Sequence, residues 1–177
     1  MKPKMLEMEI EIPSGIEVSI DNGKLTVRGQ KGEIARILKQ PSITIEKKEN
    51  GIRVFSKKTS RKEKRMIGTF AAHIKNMLIG VNSGFVYKLK ICSGHFPMKV
   101  SLEDKKVIVS NFLGERIPRT ADIMEGTNVR INGDEIIVEG ADKDKVSQTA
   151  ANIERSTRIT NRDRRVFMDG VWISQKA

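Results

Sequence analysis

Two stretches of this 177-residue chain repeat each other at a constant offset of 82 residues. Val18-Ser19-Ile20-Asp21-Asn22 matches Val100-Ser101-Leu102-Glu103-Asp104, Lys24 matches Lys106, Val27 matches Val109, and Gly32-Glu33 matches Gly114-Glu115. The helix-start residues Ser60 and Asp142 keep the same spacing. One match of short strand-like pieces would carry little weight. A hairpin, a Gly-Glu turn and a helix start agreeing at one offset describe a duplicated plan. Each copy must then bury its own core within about half the chain, near the lower size limit for independent folding.

The local patterns say what that plan is. Val18 to Val27 alternates apolar and polar residues on both sides of Asn22-Gly23, a strong hairpin signal. Ile43-Thr44-Ile45 with Asn50-Gly51-Ile52-Arg53-Val54 reads as a second hairpin. Val100-Ser101-Leu102 with Val107-Ile108-Val109 reads as a third, and Val129-Arg130-Ile131 with Ile136-Ile137-Val138 as a fourth. Asp169-Gly170 between Val166-Phe167 and Val171-Trp172-Ile173 suggests a fifth. Helical spacing appears twice. Met66, Phe70, Ile74 and Leu78 recur every four residues, with Ile67, Ala71 and Met77 on the same face. Ser60 and Glu63 have capping-box spacing at its start, and Gly80 is placed just past its end. Asp142 caps a second helix with Val146, Ala150 and Ile153 inward. The expectation is an α+β protein of two duplicated domains, residues 1–83 and 84–177. Each is a small, mostly antiparallel sheet with one helix packed on a face.

Composition narrows the function. The chain carries 33 Lys+Arg against 22 Asp+Glu, a net charge of +11, which points to an anionic partner, nucleic acid first and a membrane surface second. Its single cysteine, Cys92, excludes an internal disulfide framework and suits a reducing compartment. Met1 to Glu11, with Lys2, Lys4, Glu7, Glu9 and Glu11, lacks the apolar run of an export signal. No run of eighteen apolar residues is present, and a cytoplasmic location is expected.

Catalytic signals are thin. His73 and His95 fall in different repeats, Cys92 is the only thiol, and no metal-ligand spacing occurs. No catalytic residue, metal or cofactor is expected. Gly29-Gln30-Lys31-Gly32 could be a phosphate-cradling turn or the backbone clamp of a KH-type RNA domain. That clamp joins two helices, whereas this segment follows a hairpin strand. Its counterpart Asn111-Phe112-Leu113-Gly114 keeps only the last glycine. A shared structural turn accounts for both.

Two basic clusters carry the sharper signal. Lys57, Lys58, Arg61, Lys62, Lys64 and Arg65 crowd the start of the first helix, where the macrodipole disfavours cations and a phosphate partner would favour them. Arg155, Arg158, Arg162, Arg164 and Arg165 run from the second helix toward the C-terminus. All five are arginine, the side chain suited to bidentate phosphate contacts. Six Phe, one Trp and one Tyr leave little for a broad base-stacking platform, so folded RNA read through phosphate and shape fits better. The competing classes are a metal-dependent nuclease built on Asp163 and Asp169, and a basic adaptor at anionic membranes. The first lacks a third carboxylate, and the second lacks helices with a uniformly basic face.

Specific strings then resemble a known family. Asn76-Met77-Leu78-Ile79-Gly80-Val81-Asn82-Ser83-Gly84-Phe85 resembles the helix end and interdomain joint of the universal large-ribosomal-subunit protein family numbered six. Ser93-Gly94-His95-Phe96-Pro97, Asn111-Phe112-Leu113-Gly114-Glu115-Arg116 and Arg162-Asp163-Arg164-Arg165-Val166-Phe167-Met168-Asp169-Gly170 look like its archaeal and eukaryotic branch. The bacterial branch instead has a Lys/Gly-rich run with tyrosines near the C-terminus. The resemblance implies two duplicated α+β domains. It also implies a structural, non-catalytic role in the large ribosomal subunit, bound to large-subunit rRNA near the sarcin–ricin loop and the translation-factor site. It makes the C-terminal domain the main anchor. Neighbouring ribosomal proteins and translation factors are implied as surroundings, with no membrane and no small-molecule substrate. Carried over by position, it nominates Ser93, Gly94, His95, Arg162, Arg164 and Arg165. Arg116 and Arg119 follow in the loop after the third hairpin, with the lysine-rich helix start as an auxiliary contact.

Overall fold

The computed structural model describes residues 6–48 and 51–177. Lys2 and Lys4, and Asn50 in the expected second hairpin turn, lie outside the described residues. The chain divides into two compact units, Met1–Gly84 and Phe85–Ala177.

In the first unit, β1 (Leu6–Glu11), β2 (Glu17–Asp21), β3 (Lys24–Gly29), β4 (Gly32–Ile37), β5 (Thr44–Lys48) and β6 (Gly51–Ser56) precede α1 (Arg61–Asn82). They form two antiparallel three-stranded sheets, ordered β2-β3-β4 and β1-β6-β5. The second unit repeats this with β7 (Phe85–Cys92), β8 (Lys99–Glu103), β9 (Lys106–Ser110), β10 (Arg119–Asp122), β11 (Thr127–Asn132), β12 (Glu135–Gly140) and α2 (Lys143–Ser156). It then adds β13 (Gly170–Gln175), so its sheets are β8-β9-β10 and β11-β12-β7-β13. The fold is α+β, as expected, and the four central hairpins form.

Local chemistry explains these elements. Asn22 (φ 46°) and Gly23 (φ 84°) both take left-handed backbone, as the two-residue primed turn demands, and Val18 pairs with Val27 and Ile20 with Leu25. Ser60 caps α1 by accepting the Lys62 amide at 3.2 Å, and its hydroxyl donates to the Glu63 carboxylate. That bond, with the Glu63 amide, holds the Glu63 carboxyl below the usual carboxylate range. Asp142 caps α2 in the same way, accepting the Asp144 amide at 3.0 Å.

Two expectations are corrected. Gly80 does not end the first helix: it lies buried inside α1, which runs on to Asn82. The left-handed stop is Gly84 (φ 77°), whose amide donates to the Gly80 carbonyl at 3.0 Å. The fifth hairpin does not form either. Val166 and Phe167 sit in a turn, with both amides donating to the Asp163 carbonyl, and β13 pairs with β7 instead. Three strands went unread. β10 buries only Ala121, β4 buries only Ile34, and β1 alternates Leu6, Met8 and Ile10 with glutamates yet buries only Ile10.

The turn between β3 and β4 is structural. It joins two strands, and the Lys31 amide donates to the Val81 carbonyl at 2.9 Å. A Cβ on Gly29 would stand 2.7 Å from that carbonyl oxygen and 2.9 Å from Val81 Cγ2. Gly29→Ala should therefore destabilise the protein by about 1–3 kcal/mol, through overpacking against a helix end that cannot yield. Urea unfolding would show it as a lower midpoint at unchanged slope.

In the second unit, Val107, Val109 and Phe112 meet Leu89, Ile136 and Val138 of the four-stranded sheet and Val146, Ala150 and Ile153 of α2. No helix among the described residues is long and apolar enough to cross a membrane.

Candidate nucleic-acid interface

The β7–β13 pairing builds the site. Its register sets Gly170 opposite Cys92, so the residues just beyond that pair, Asp169 and Ser93, leave the sheet side by side. Two strings far apart in sequence are thereby brought together. The Asp169 carboxylate, only 3% exposed, accepts the Gly94 amide at 2.6 Å and the His95 amide at 2.9 Å, and lies 2.6 Å from His95 Nδ1. Burial alone would raise its pKa. The bonds from the His95 amide and imidazole and the Gly94 amide outweigh that and hold it below the usual aspartate range.

A carboxyl depressed in the folded state contributes stability above its unfolded pKa and loses it as pH falls through the folded value. The Asp169 carboxyl should therefore stay ionised down to about pH 3.9, the ordinary aspartate value, and take up its proton only below it. A ¹³C titration of the side-chain carboxyl carbon reads this directly.

The latched loop supports an aromatic and arginine cluster. Phe167 stacks on His95 with ring centroids 4.8 Å apart, and the Arg162 guanidinium lies 4.8 Å from the Phe167 centroid. Arg164 lies 5.3 Å from the Trp172 ring, whose Nε1 donates to the Met168 carbonyl at 3.1 Å. Arg165 pairs with Asp163 at 3.0 Å, an exposed pair that holds the Asp163 carboxyl low and the guanidinium pKa high. Arg162, Arg164 and Arg165 are all exposed, and Arg162 and Arg164 make no ion pair among the described residues.

The third family string joins the same place. The Asn111 side chain donates to the Pro97 carbonyl at 2.9 Å, and a Cβ on Gly114 (φ 79°) would stand 3.4 Å from the Phe96 ring. Ser93, Gly94 and His95 are thus held from two directions.

The remaining nominated residues divide. Arg116, Arg155 and Arg158 are exposed and make no ion pair among the described residues. Arg119 is engaged internally. It holds Glu115 through Nε at 2.8 Å, donates to the Ser156 and Arg158 carbonyls at 3.0 and 3.1 Å, and lies 4.3 Å from the Phe112 centroid. It caps the C-terminal end of α2, where a cation complements the dipole. In the first unit, Lys57, Lys58, Arg61, Lys62, Lys64 and Arg65 are all exposed around the start of α1.

Sequence reasoning missed Asp169 as the organiser and Phe167 and Trp172 as arginine supports. The signal was present in the register of an apolar strand after Gly170. The two carboxylates a nuclease would need are committed elsewhere, Asp163 to Arg165 and Asp169 to the loop. No group of three or more metal-ligating side chains occurs among the described residues.

Comparison with known proteins identifies the family. The family model for ribosomal protein L6 matches twice, over residues 12–84 and 96–170, one match in each unit. The protein is 45% identical to the large ribosomal subunit protein uL6 of Methanosarcina mazei, covering 98% of this chain and 99% of that one. It is 45% identical to the uL6 of Methanocella arvoryzae over 96% of each chain. With that of Methanococcus vannielii it shares 43% identity over 98% of this chain and 95% of the other. Two matched repeats and near-complete coverage by archaeal relatives show that the chain belongs to the ribosomal protein L6 family, in its archaeal-type branch.

Proposed function

We propose that this protein is a structural constituent of the large ribosomal subunit, without catalysis of its own. On this reading it binds large-subunit rRNA near the sarcin–ricin loop and the translation-factor site. The observation that carries the reading is the convergence of Ser93–His95 and Arg162–Arg165 on one face of the second unit through Asp169. A carboxylate buried to fix a loop and an arginine segment together presents pre-positioned donors to phosphate and 2′-hydroxyl oxygens. The exposed Arg116, Arg155 and Arg158 extend the contact. The lysine-rich start of α1 is the auxiliary one. Neighbouring ribosomal proteins and bound translation factors are its surroundings, and the cytoplasm is its location.

Hydroxyl-radical footprinting of large-subunit rRNA with and without the protein tests the assignment. Protection at and beside the sarcin–ricin loop is expected. Protection confined to other helices would sink the assigned location.

A further inference from the structure

The second unit carries a groove whose apolar lining phosphate contacts do not engage. It encloses about 740 Å³ between the Ser93–His95 loop, the 164–169 segment and β13, with Cys92, Val166, Met168 and Trp172 as its apolar lining. Val166 and Met168 are 57% and 64% exposed, so two large apolar side chains stand open at the rim of the most arginine-rich segment. Arg164 and Arg165 line the same groove.

An apolar groove edged by guanidinium groups matches one ligand chemistry in RNA, an unpaired base with its own phosphate. Paired bases in an A-form helix present only groove edges and cannot enter such a groove. Aromatic rings are scarce in this chain, six Phe, one Trp and one Tyr, yet the single Trp lines this groove with Arg164 5.3 Å from its ring. We infer that this groove receives a single unstacked nucleobase of the bound rRNA, laid against Trp172 and Met168, with Arg164 on its phosphate. The inference rests on the rRNA-binding reading and adds to it an occupant for the groove.

Trp172 is the only tryptophan, so its emission reports on the groove alone. The full chain is titrated with an rRNA fragment carrying the sarcin–ricin loop, with fluorescence and filter binding followed in parallel. Trp172 emission should fall in step with binding, as a stacked base quenches indole. The double variant Val166→Ser, Met168→Ser changes only exposed positions and keeps the fold. It should bind about 5-fold more weakly, the low end for losing one base contact because Trp172 stays, with the salt slope unchanged because no phosphate contact is removed. Salt-dependent binding with Trp172 emission unmoved and the double variant equal to the parent would overturn the groove assignment and leave the rRNA reading intact. Absence of salt-dependent binding altogether would overturn both.

Discussion

Asp169→Ala should lower the stability of the protein by about 2–4 kcal/mol and weaken rRNA binding, although the alanine removes no group that faces RNA. The stability figure follows from the loss of charge-assisted bonds to a buried carboxylate, which contribute more than neutral ones. The Gly94 and His95 amides and the His95 imidazole all lose their acceptor together. His95 is partly exposed, so water replaces some of the loss and keeps the effect below that of a fully buried broken pair. The affinity loss is a positioning effect. Without the carboxylate the Ser93–His95 loop is no longer tied to the end of β13, and Phe167 loses a fixed ring to stack on. Asp169→Asn separates the two parts: its amide oxygen can still accept both backbone amides, which share Oδ1, so it should retain roughly half of the stability while losing the charge and the oxygen facing the His95 imidazole. Chemical denaturation of parent, alanine and asparagine forms gives the ranking.

The second large effect is on binding. Changing Arg162, Arg164 and Arg165 together to alanine should weaken binding to a sarcin–ricin-loop fragment by about 100-fold or more near physiological salt. The plot of log affinity against log salt should become shallower by about 2–3 units, one for each phosphate contact removed. The three do not contribute equally. Arg165 must exchange its exposed partner Asp163 for phosphate, whereas Arg162 and Arg164 rest on aromatic rings and have no carboxylate to leave. Single substitutions should rank Arg162 and Arg164 above Arg165. Stability should barely change, because all three are exposed.

The duplicated plan was legible because its signals are local. Asn22-Gly23 forces a primed turn, and Ser60 and Asp142 cap helices whose apolar faces repeat on one side. What was missed is long-range. β13 looks like half of a hairpin with Val166-Phe167, but its partner is β7, and no local pattern encodes a pairing across the whole unit. Asp169 shares that difficulty: its partners lie 74 and 75 residues away, so in sequence it reads as a turn residue. Arg119 differs in another way: by position it falls in the loop after the third hairpin, whereas the structure sets it at the start of β10 with its guanidinium on the end of α2. Gly80 was misplaced because a glycine near the end of an apolar repeat resembles a stop, whereas here it lies inside the helix and Gly84 takes the positive φ.

Net charge alone would put the RNA surface on the first unit. Residues 1–84 carry 17 Lys+Arg and 9 Asp+Glu, a net of +8, while residues 85–177 carry 16 and 13, a net of +3. The proposed anchor is on the second unit because its arginines stand on a fixed scaffold, whereas the lysines at the start of α1 surround a solvated helix end. One measurement compares the two directly: rRNA affinity over a salt series for the parent, for the Arg162, Arg164, Arg165 alanine variant, and for a Lys57, Lys58, Lys62, Lys64 alanine variant. Log affinity should fall in a straight line with log salt for the parent, drop strongly with the arginine variant, and drop less with the lysine variant although it removes more charge. Equal or greater loss from the lysine variant, or a parent affinity insensitive to salt, would contradict the proposed anchor.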